Sequence, residues 1–86
     1  MTGEEHNVLD VRNDDEWRKG HLKQAIHIPH GKLLNEDIPF DKNDLIYVHC
    51  QSGVRSSIAV GILEYKGFTN IFNVRGGYQH LPAFLK

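Results

Sequence analysis

The sequence predicts an α/β fold, a small and mainly parallel sheet flanked by helices. Three short apolar runs carry this prediction, residues 8–11, 45–48 and 71–74, each rich in β-branched side chains and followed by a polar or glycine-containing break. Continuous apolar character is typical of strands that are buried on both faces, as in a parallel sheet. Helical patterns lie between the runs, and such alternation indicates parallel α/β topology.

Local signals predict two further elements in the first third of the chain. Residues 25–28 could form a short strand near an edge of the sheet, since Pro29 ends the run. Asn13 and the acidic residues after it are suited to begin a helix. This short helix would carry Trp17 and end at Gly20.

The clearest helical pattern runs from Gly53 to about Lys66. Its apolar residues recur at helical spacing: Val54, Ile58, Ile62 and Tyr65. Gly61 lies inside this helix at a cost of about 1 kcal/mol relative to alanine, which close packing on the sheet would explain. Residues 78–85 could form a last short helix that Pro82 interrupts.

Composition limits the classes of function. The 86 residues are enough for one domain, so residues 1–86 are interpreted as a single unit. The formal charge is −1, and no basic run indicates a nucleic-acid or membrane partner. No apolar stretch reaches the roughly 18 residues of a membrane span, and the polar start lacks the apolar region of a signal peptide. One cysteine excludes an internal disulfide and fits a reducing, cytoplasmic compartment.

The sequence predicts no cofactor and no metal site. A single cysteine cannot provide a paired-thiol site. His27 and His30 flank Pro29 in a predicted loop, and we interpret them as surface residues.

Cys50 is the candidate catalytic residue. It follows a predicted strand and precedes the clearest helix, and in open α/β sheets ligands bind at the carboxyl ends of strands. The segment after it is small and polar: Gln51, Ser52, Gly53, Val54, Arg55 and Ser56. Such a turn can aim backbone N–H groups inward as an anion-binding nest, at the positive end of the helix dipole. We therefore expect the pKa of the thiol to lie below the free value of about 8.5.

Simpler roles stay open for the residues of this loop. A lone cysteine in a small domain can be no more than a buried apolar side chain. Arg55 could bind a substrate or organise the loop through hydrogen bonds to carbonyl groups. Ser52 and Ser56 could donate to a thiolate or cap the start of the helix. The sequence pattern does not decide between these roles.

We interpret several residues outside the loop as structural rather than catalytic. Asp10 and Arg12 are interpreted as an ion pair that braces the loops around the site. His49 is not expected to act as a base, because adjacent residues at a strand end point to opposite faces. Two groups complete the set, a solvated charged face (Asp14, Asp15, Glu16 and Lys19) and aromatic residues of the core or rim (Trp17, Tyr78 and Phe84).

Four segments resemble the motifs of the rhodanese family and occur in the family's order. They are LDVRNDDEWRKGHL, AIHIPHGKL, CQSGVRS and FNVRGGYQHL, and they cover nearly the whole chain. The resemblance implies a rhodanese-like fold and a sulfurtransferase in which Cys50 accepts a sulfane sulfur as a persulfide. The donor would be thiosulfate or a low-molecular-weight persulfide, and the acceptor cyanide, a small thiol or a protein thiol. The family's amide-lined cradle would map onto residues 51–56.

Departures from the family pattern bear on the sulfur donor. Gln24 replaces a usual glycine, Leu81 replaces a common aromatic, and neutral Gln51 stands where many thiosulfate-using members carry a basic residue. We therefore expect modest use of thiosulfate. An organic persulfide would instead rest on apolar residues, if these rim the site: Trp17, Tyr78 and Leu81.

Two other functions compete with the sulfurtransferase. Cell-cycle phosphatases resemble this fold and also use a Cys-Arg loop, but they place five residues between the cysteine and the arginine, where CQSGVR places four. A tetrahedral phosphoryl group needs the wider ring. Rhodanese-like domains can also be binding modules, so a sulfur-relay or regulatory role in a larger fusion protein stays open.

Overall fold

A four-stranded sheet forms the centre of the computed structural model, which describes residues 6–86. Residues 1–5, and with them most of the polar start of the chain, lie outside the described residues. The strands are β1 (Asn7–Asp10), β2 (Ile26–His27), β3 (Ile46–His49) and β4 (Ile71–Asn73). Their order is β2-β1-β3-β4, and every neighbouring pair is parallel. The predicted α/β class and the edge position of the second strand are confirmed.

Two α-helices and three 3₁₀ helices connect and follow the strands. The α-helices are α1 (Asp14–Lys19) and α2 (Val54–Tyr65), and the 3₁₀ helices span His30–Asn35, Tyr78–His80 and Ala83–Leu85. The predicted last helix is therefore two separate 3₁₀ turns with Pro82 between them. Within the described residues, no helix has the length and apolar character needed to cross a membrane.

The central strands β1 and β3 are buried on both faces, as predicted. Val8 packs into one core cluster and Leu9 into the other, because successive side chains of a strand point to opposite faces. The same prediction is wrong for β4, where Phe72 is half-exposed. The reason is topological: β4 is an edge strand, and part of its surface faces solvent.

Helix α2 is present, but the apolar stripe that predicted it is not its buried face. Val54, Ile58 and Tyr65 are exposed, and Tyr65 is 82% accessible. The buried residues are Ser56, Ala59 and Leu63, of which the first two are small. A methyl group at Gly61 would meet nothing within 4 Å, so close packing does not explain that glycine. The small buried side chains allow the first turns of α2 to lie close to the sheet beside Cys50.

Candidate active site

Cys50 lies at the carboxyl end of the sheet, between β3 and α2. Its side chain is fully buried in the core cluster that α2 covers. Two backbone hydrogen bonds hold this strand end: the Val11 N–H donates to the His49 carbonyl at 3.0 Å, and the Tyr78 N–H donates to the Cys50 carbonyl at 2.8 Å. The strand-end position expected from the sequence is therefore present.

Hydrogen bonds converge on the Cys50 sulfur. The Gly53 N–H donates to Sγ at 2.9 Å, and the Ser56 hydroxyl lies 3.5 Å from Sγ. Burial raises the pKa of the thiol, but hydrogen bonds from the Ser56 hydroxyl and from the N–H groups of Ser56, Gly53 and Ser52 outweigh it and lower the pKa overall. Hydrogen bonding is the main contribution that favours the thiolate, and its attraction to the Arg55 guanidinium is a smaller one.

Ser56 and its neighbour Ser57 share one acceptor, the Gly53 carbonyl. The hydroxyl groups of Ser56 and Ser57 each donate to this oxygen at 3.0 Å, and the Ser57 N–H donates to it at 3.3 Å. When the thiol ionises, the Ser56 hydroxyl can therefore turn to Sγ while Ser57 keeps the carbonyl satisfied. Ser56 is thus both a helix-start residue and a neighbour of the sulfur.

The N–H groups of the Cys50 loop either bind the sulfur or lack a partner among residues 6–86. Those of Ser52, Gly53 and Ser56 bind Sγ, whereas those of Gln51, Val54 and Arg55 donate to no acceptor. Val54, Arg55 and Ser56 begin α2, and the first N–H groups of a helix have no carbonyl within the helix to bind. Unpaired N–H groups at a helix start form an anion-binding site. The loop therefore has the chemistry of the nest that the sequence predicted.

Glycine is required at two positions where backbones touch. Gly53 has φ +103°, and a Cβ on it would lie 2.5 Å from the Arg75 carbonyl oxygen. Gly77 has φ +74°, and its Cβ would lie 2.1 Å from the Gln51 carbonyl oxygen. No side chain fits at such distances, and positive φ is rare outside glycine. The Gly76-Gly77 turn is thus the outer wall of the Cys50 loop.

Arg55 binds Glu16 rather than the interior of the loop. Its guanidinium donates to both carboxylate oxygens, Nη1 to Oε1 at 2.7 Å and Nη2 to Oε2 at 2.8 Å. The hydrogen bond from Arg55 is the main reason that the pKa of Glu16 falls to about 2, against an opposing contribution from burial. Of the two roles left open for Arg55, this contact fits the organiser of the loop.

The interpretation of Glu16 as part of a solvated face is wrong. Glu16 also accepts from the Asn13 N–H at 3.0 Å, while its own N–H donates to Asn13 Oδ1 at 2.9 Å, which together form a capping box. The spacing Asn-x-x-Glu was visible in the sequence and marks a glutamate that turns back toward the helix start. No pattern in the sequence indicated the hydrogen bonds between Glu16 and Arg55.

Asp10 and Arg12 form a buried ion pair beneath the site. Arg12 donates from Nε to Asp10 Oδ1 at 2.9 Å and from Nη2 to Oδ2 at 2.7 Å. The same Nη2 donates to the Gly20 carbonyl at 2.8 Å and so holds the end of α1 against the sheet. These contacts fit the bracing role inferred from the sequence.

His49 points away from the sulfur of Cys50. Its ring is fully buried, with Nε2 3.6 Å from Asp10 Oδ2 and Nδ1 3.4 Å from the carbonyl oxygen of Cys50. Burial lowers the pKa of His49, and the nearby Asp10 carboxylate opposes this only in part. The placement agrees with the expectation that His49 is not the base for Cys50.

An open cavity of about 370 Å³ lies beside the loop, and we call it the mouth. Its lining includes Gln51, Arg12, Glu16, Lys19, Tyr78 and Gln79. Of the three residues expected to rim the site, only Tyr78 lies here, with the Arg12 guanidinium 4.0 Å from its ring centre. Leu81 is buried in the second core cluster, and Trp17 stacks between the rings of His21 and His27. Phe84, which the sequence analysis grouped with Trp17 and Tyr78 as core or rim, is exposed on another surface.

The described residues contain no cluster of three or more His, Cys, Asp or Glu side chains that could hold a metal ion. His27, one of the two histidines beside Pro29, places Nε2 2.8 Å from the Arg12 carbonyl and stacks on Trp17. Its ring therefore has a structural partner in the loop.

Comparisons with known proteins agree on one family. The family model described as Rhodanese-like domain matches residues 1–81. A thiosulfate sulfurtransferase of Arabidopsis thaliana is 38% identical over 86% of this chain and 72% of its own. A rhodanese-like domain protein from Staphylococcus aureus has a TM-score of 0.82 and 33% identity, over 92% of this chain and 76% of its own.

A Bacillus subtilis protein that bears the name of a candidate sulfur carrier is 38% identical over 85% of this chain. The chain spans 40% of that relative and 63% of another from the same organism. Several relatives are therefore considerably longer than the segment they share with this chain.

Proposed function

The chain belongs to the rhodanese-like family, and we propose that it is a sulfurtransferase in which Cys50 carries the sulfur. Homologues include a thiosulfate sulfurtransferase and a candidate sulfur carrier. The donor is thiosulfate or a low-molecular-weight persulfide, and the acceptor is a thiol or cyanide.

The reaction is two successive displacements at sulfur. The Cys50 thiolate attacks the outer sulfur of the donor, a new S–S bond forms, and the bond from that sulfur to the donor breaks. Sulfite leaves from thiosulfate, or a thiolate leaves from an organic persulfide. An acceptor thiolate then attacks the outer sulfur of the Cys50 persulfide and restores the Cys50 thiolate; cyanide accepts the same sulfur as thiocyanate. No external electrons are required.

The N–H groups around Cys50 are the observation that carries this proposal. A persulfide anion places its negative charge on the outer sulfur, one bond beyond Sγ. The N–H groups of Val54, Arg55 and Ser56 at the start of α2 can stabilise that charge, while the Gly53 N–H holds Sγ itself.

The phosphatase alternative finds no support in the loop. Four residues separate Cys50 from Arg55, and both ends of the Arg55 guanidinium are bound to Glu16. An arginine held in this way is directed toward α1 rather than toward an oxyanion over Cys50.

A sulfur-relay role within a longer protein is the second candidate. It is favoured by the partial coverage of relatives, including the candidate sulfur carrier of which this chain spans 40%. In that role the acceptor would be a protein thiol, and Cys50 would hold sulfur between two partners. The loop chemistry is the same in both candidates, but turnover with small acceptors would be slow.

Mass spectrometry tests the shared step. Incubation with thiosulfate or glutathione persulfide should add about one sulfur atom to the native protein, and a thiol acceptor should remove it. Cys50→Ser should show no mass gain and no turnover, because a hydroxyl forms no persulfide. Lys32→Gln, an exposed change outside the loop and the mouth, is the matched control. A native protein that gains no sulfur from either donor would contradict the proposal.

A further inference from the structure

The charged residues that line the mouth differ in whether they are already held in an ion pair. Arg12 is bound to Asp10, and Glu16 is bound to Arg55, so each of these pairs is neutral as a unit. Lys19 is the remaining charged residue of the lining. It is exposed at the end of α1, and it makes no ion pair or side-chain hydrogen bond within residues 6–86. The mouth therefore carries one available positive charge.

The other lining groups suit a polar organic molecule. Gln51 and Gln79 offer carboxamide groups, and Tyr78 offers an aromatic wall. A volume of about 370 Å³ falls in the usual range of roughly 300–1,000 Å³ for organic ligands. This is more space than thiosulfate fills, although thiosulfate can also enter.

We infer that Lys19 is a specificity-determining residue, which binds the anionic group of the sulfur compound that enters the mouth. This inference rests on the proposed function. The group is the sulfonate end of thiosulfate or a carboxylate of an organic persulfide or thiol. Both are anions, and a single ammonium group attracts either one.

The first experiment needs no sulfur transfer. Iodoacetate and iodoacetamide are close in size but differ in charge, and Cys50 is the only cysteine they can alkylate. In Lys19→Gln, the rate with iodoacetate relative to iodoacetamide should fall about threefold at low salt, and further in Lys19→Glu. The difference should shrink above about 0.15 M salt. Lys32→Gln, outside the mouth, is the matched control and should leave the ratio unchanged.

The second experiment measures kcat/KM with thiosulfate, with glutathione persulfide and with the persulfide of 2-mercaptoethanol, which has no carboxylate or sulfonate group. Lys19→Gln should lower the values for thiosulfate and glutathione persulfide about threefold to fivefold and leave the third donor unchanged. Of the first two donors, the one with the larger loss is the better match to the mouth.

The outcomes separate this inference from the proposed function. An unchanged alkylation ratio in Lys19→Gln, or an equal loss with the persulfide of 2-mercaptoethanol, would overturn the role of Lys19 even if sulfur transfer is efficient. A native protein that transfers no sulfur would overturn the proposed function, while the alkylation ratio would still report whether Lys19 attracts anions.

Discussion

Two arginine–carboxylate pairs flank the candidate site, and they differ mainly in burial. The Arg12 and Asp10 side chains are 2% and 0% exposed, whereas the Arg55 and Glu16 side chains are 26% and 25% exposed. The first pair joins the end of β1 to the end of α1, and the second joins α1 to the Cys50 loop. The same chemical contact therefore holds the framework in one place and the site in the other.

The difference in burial sets how costly each pair is to break. A charge left alone in the core cannot regain its hydration, whereas one at the mouth can turn to water. A solvent-exposed ion pair contributes about 0–1 kcal/mol, and removal of one partner of a buried pair costs about 3–5 kcal/mol. The framework pair should govern folding, and the site pair should govern geometry at modest cost in stability.

Arg12→Leu is expected to have the largest effect. It leaves the Asp10 carboxylate buried and unpaired, and it frees the Gly20 carbonyl. The free energy of unfolding should fall by about 3–5 kcal/mol, measured by urea denaturation. The exposed pair Arg18–Asp15 provides the control, and Arg18→Ala should change stability by less than about 0.5 kcal/mol. Equal losses in the two variants would show that burial does not set the contribution of an ion pair to the stability of this protein.

His49→Gln tests the second buried neighbour of Asp10. The folded-state pKa of His49 lies below its unfolded value of 6.5, so the unfolded chain binds more protons as the pH falls below about 6.5. The native protein should therefore lose stability between pH 7 and pH 5. His49→Gln should lose on the order of 1 kcal/mol less over that range. Parallel stability curves for the two proteins would show that His49 does not titrate differently on folding.

Glu16→Gln should have the smallest effect, and in a different pH range. Glu16 has a folded-state pKa of about 2 against an unfolded value of 4.5. Its stabilising contribution is present above pH 4.5 and is lost as the pH falls toward 2. Glu16→Gln should cost up to about 1 kcal/mol at pH 6, and the difference from the native protein should vanish near pH 2. A difference that persists at pH 2 would indicate lost packing instead.

Much of the fold could be predicted because strand burial leaves a strong mark on sequence. β1 and β3 are buried on both faces, and their continuous apolar runs predicted this burial. β4 has a similar run but lies at an edge, and strand order is a tertiary property that a run of four residues does not encode. The buried face of helix α2 was not predicted, for a different reason. Its buried residues near the site are small, so the larger apolar side chains on its exposed side dominated the sequence pattern.

At the site, local features were predictable and long-range contacts were not. The position of Cys50 and the direction of its pKa shift follow from the strand-loop-helix order. The bond between Glu16 and Arg55 joins residues far apart in sequence, and no local pattern pairs them. Lys19 at the mouth depends on the same packing of α1 against the Cys50 loop.

The outer wall of the Cys50 loop has a consequence for biosynthesis. Gly77 touches the Gln51 carbonyl, and the Tyr78 N–H binds the Cys50 carbonyl. A ribosome makes about 5–20 residues per second, so Tyr78 can follow Cys50 out of the ribosome with a delay of up to about 6 seconds. During that interval the nascent chain carries its single thiol without the segment that encloses it, open to oxidants and to other thiols.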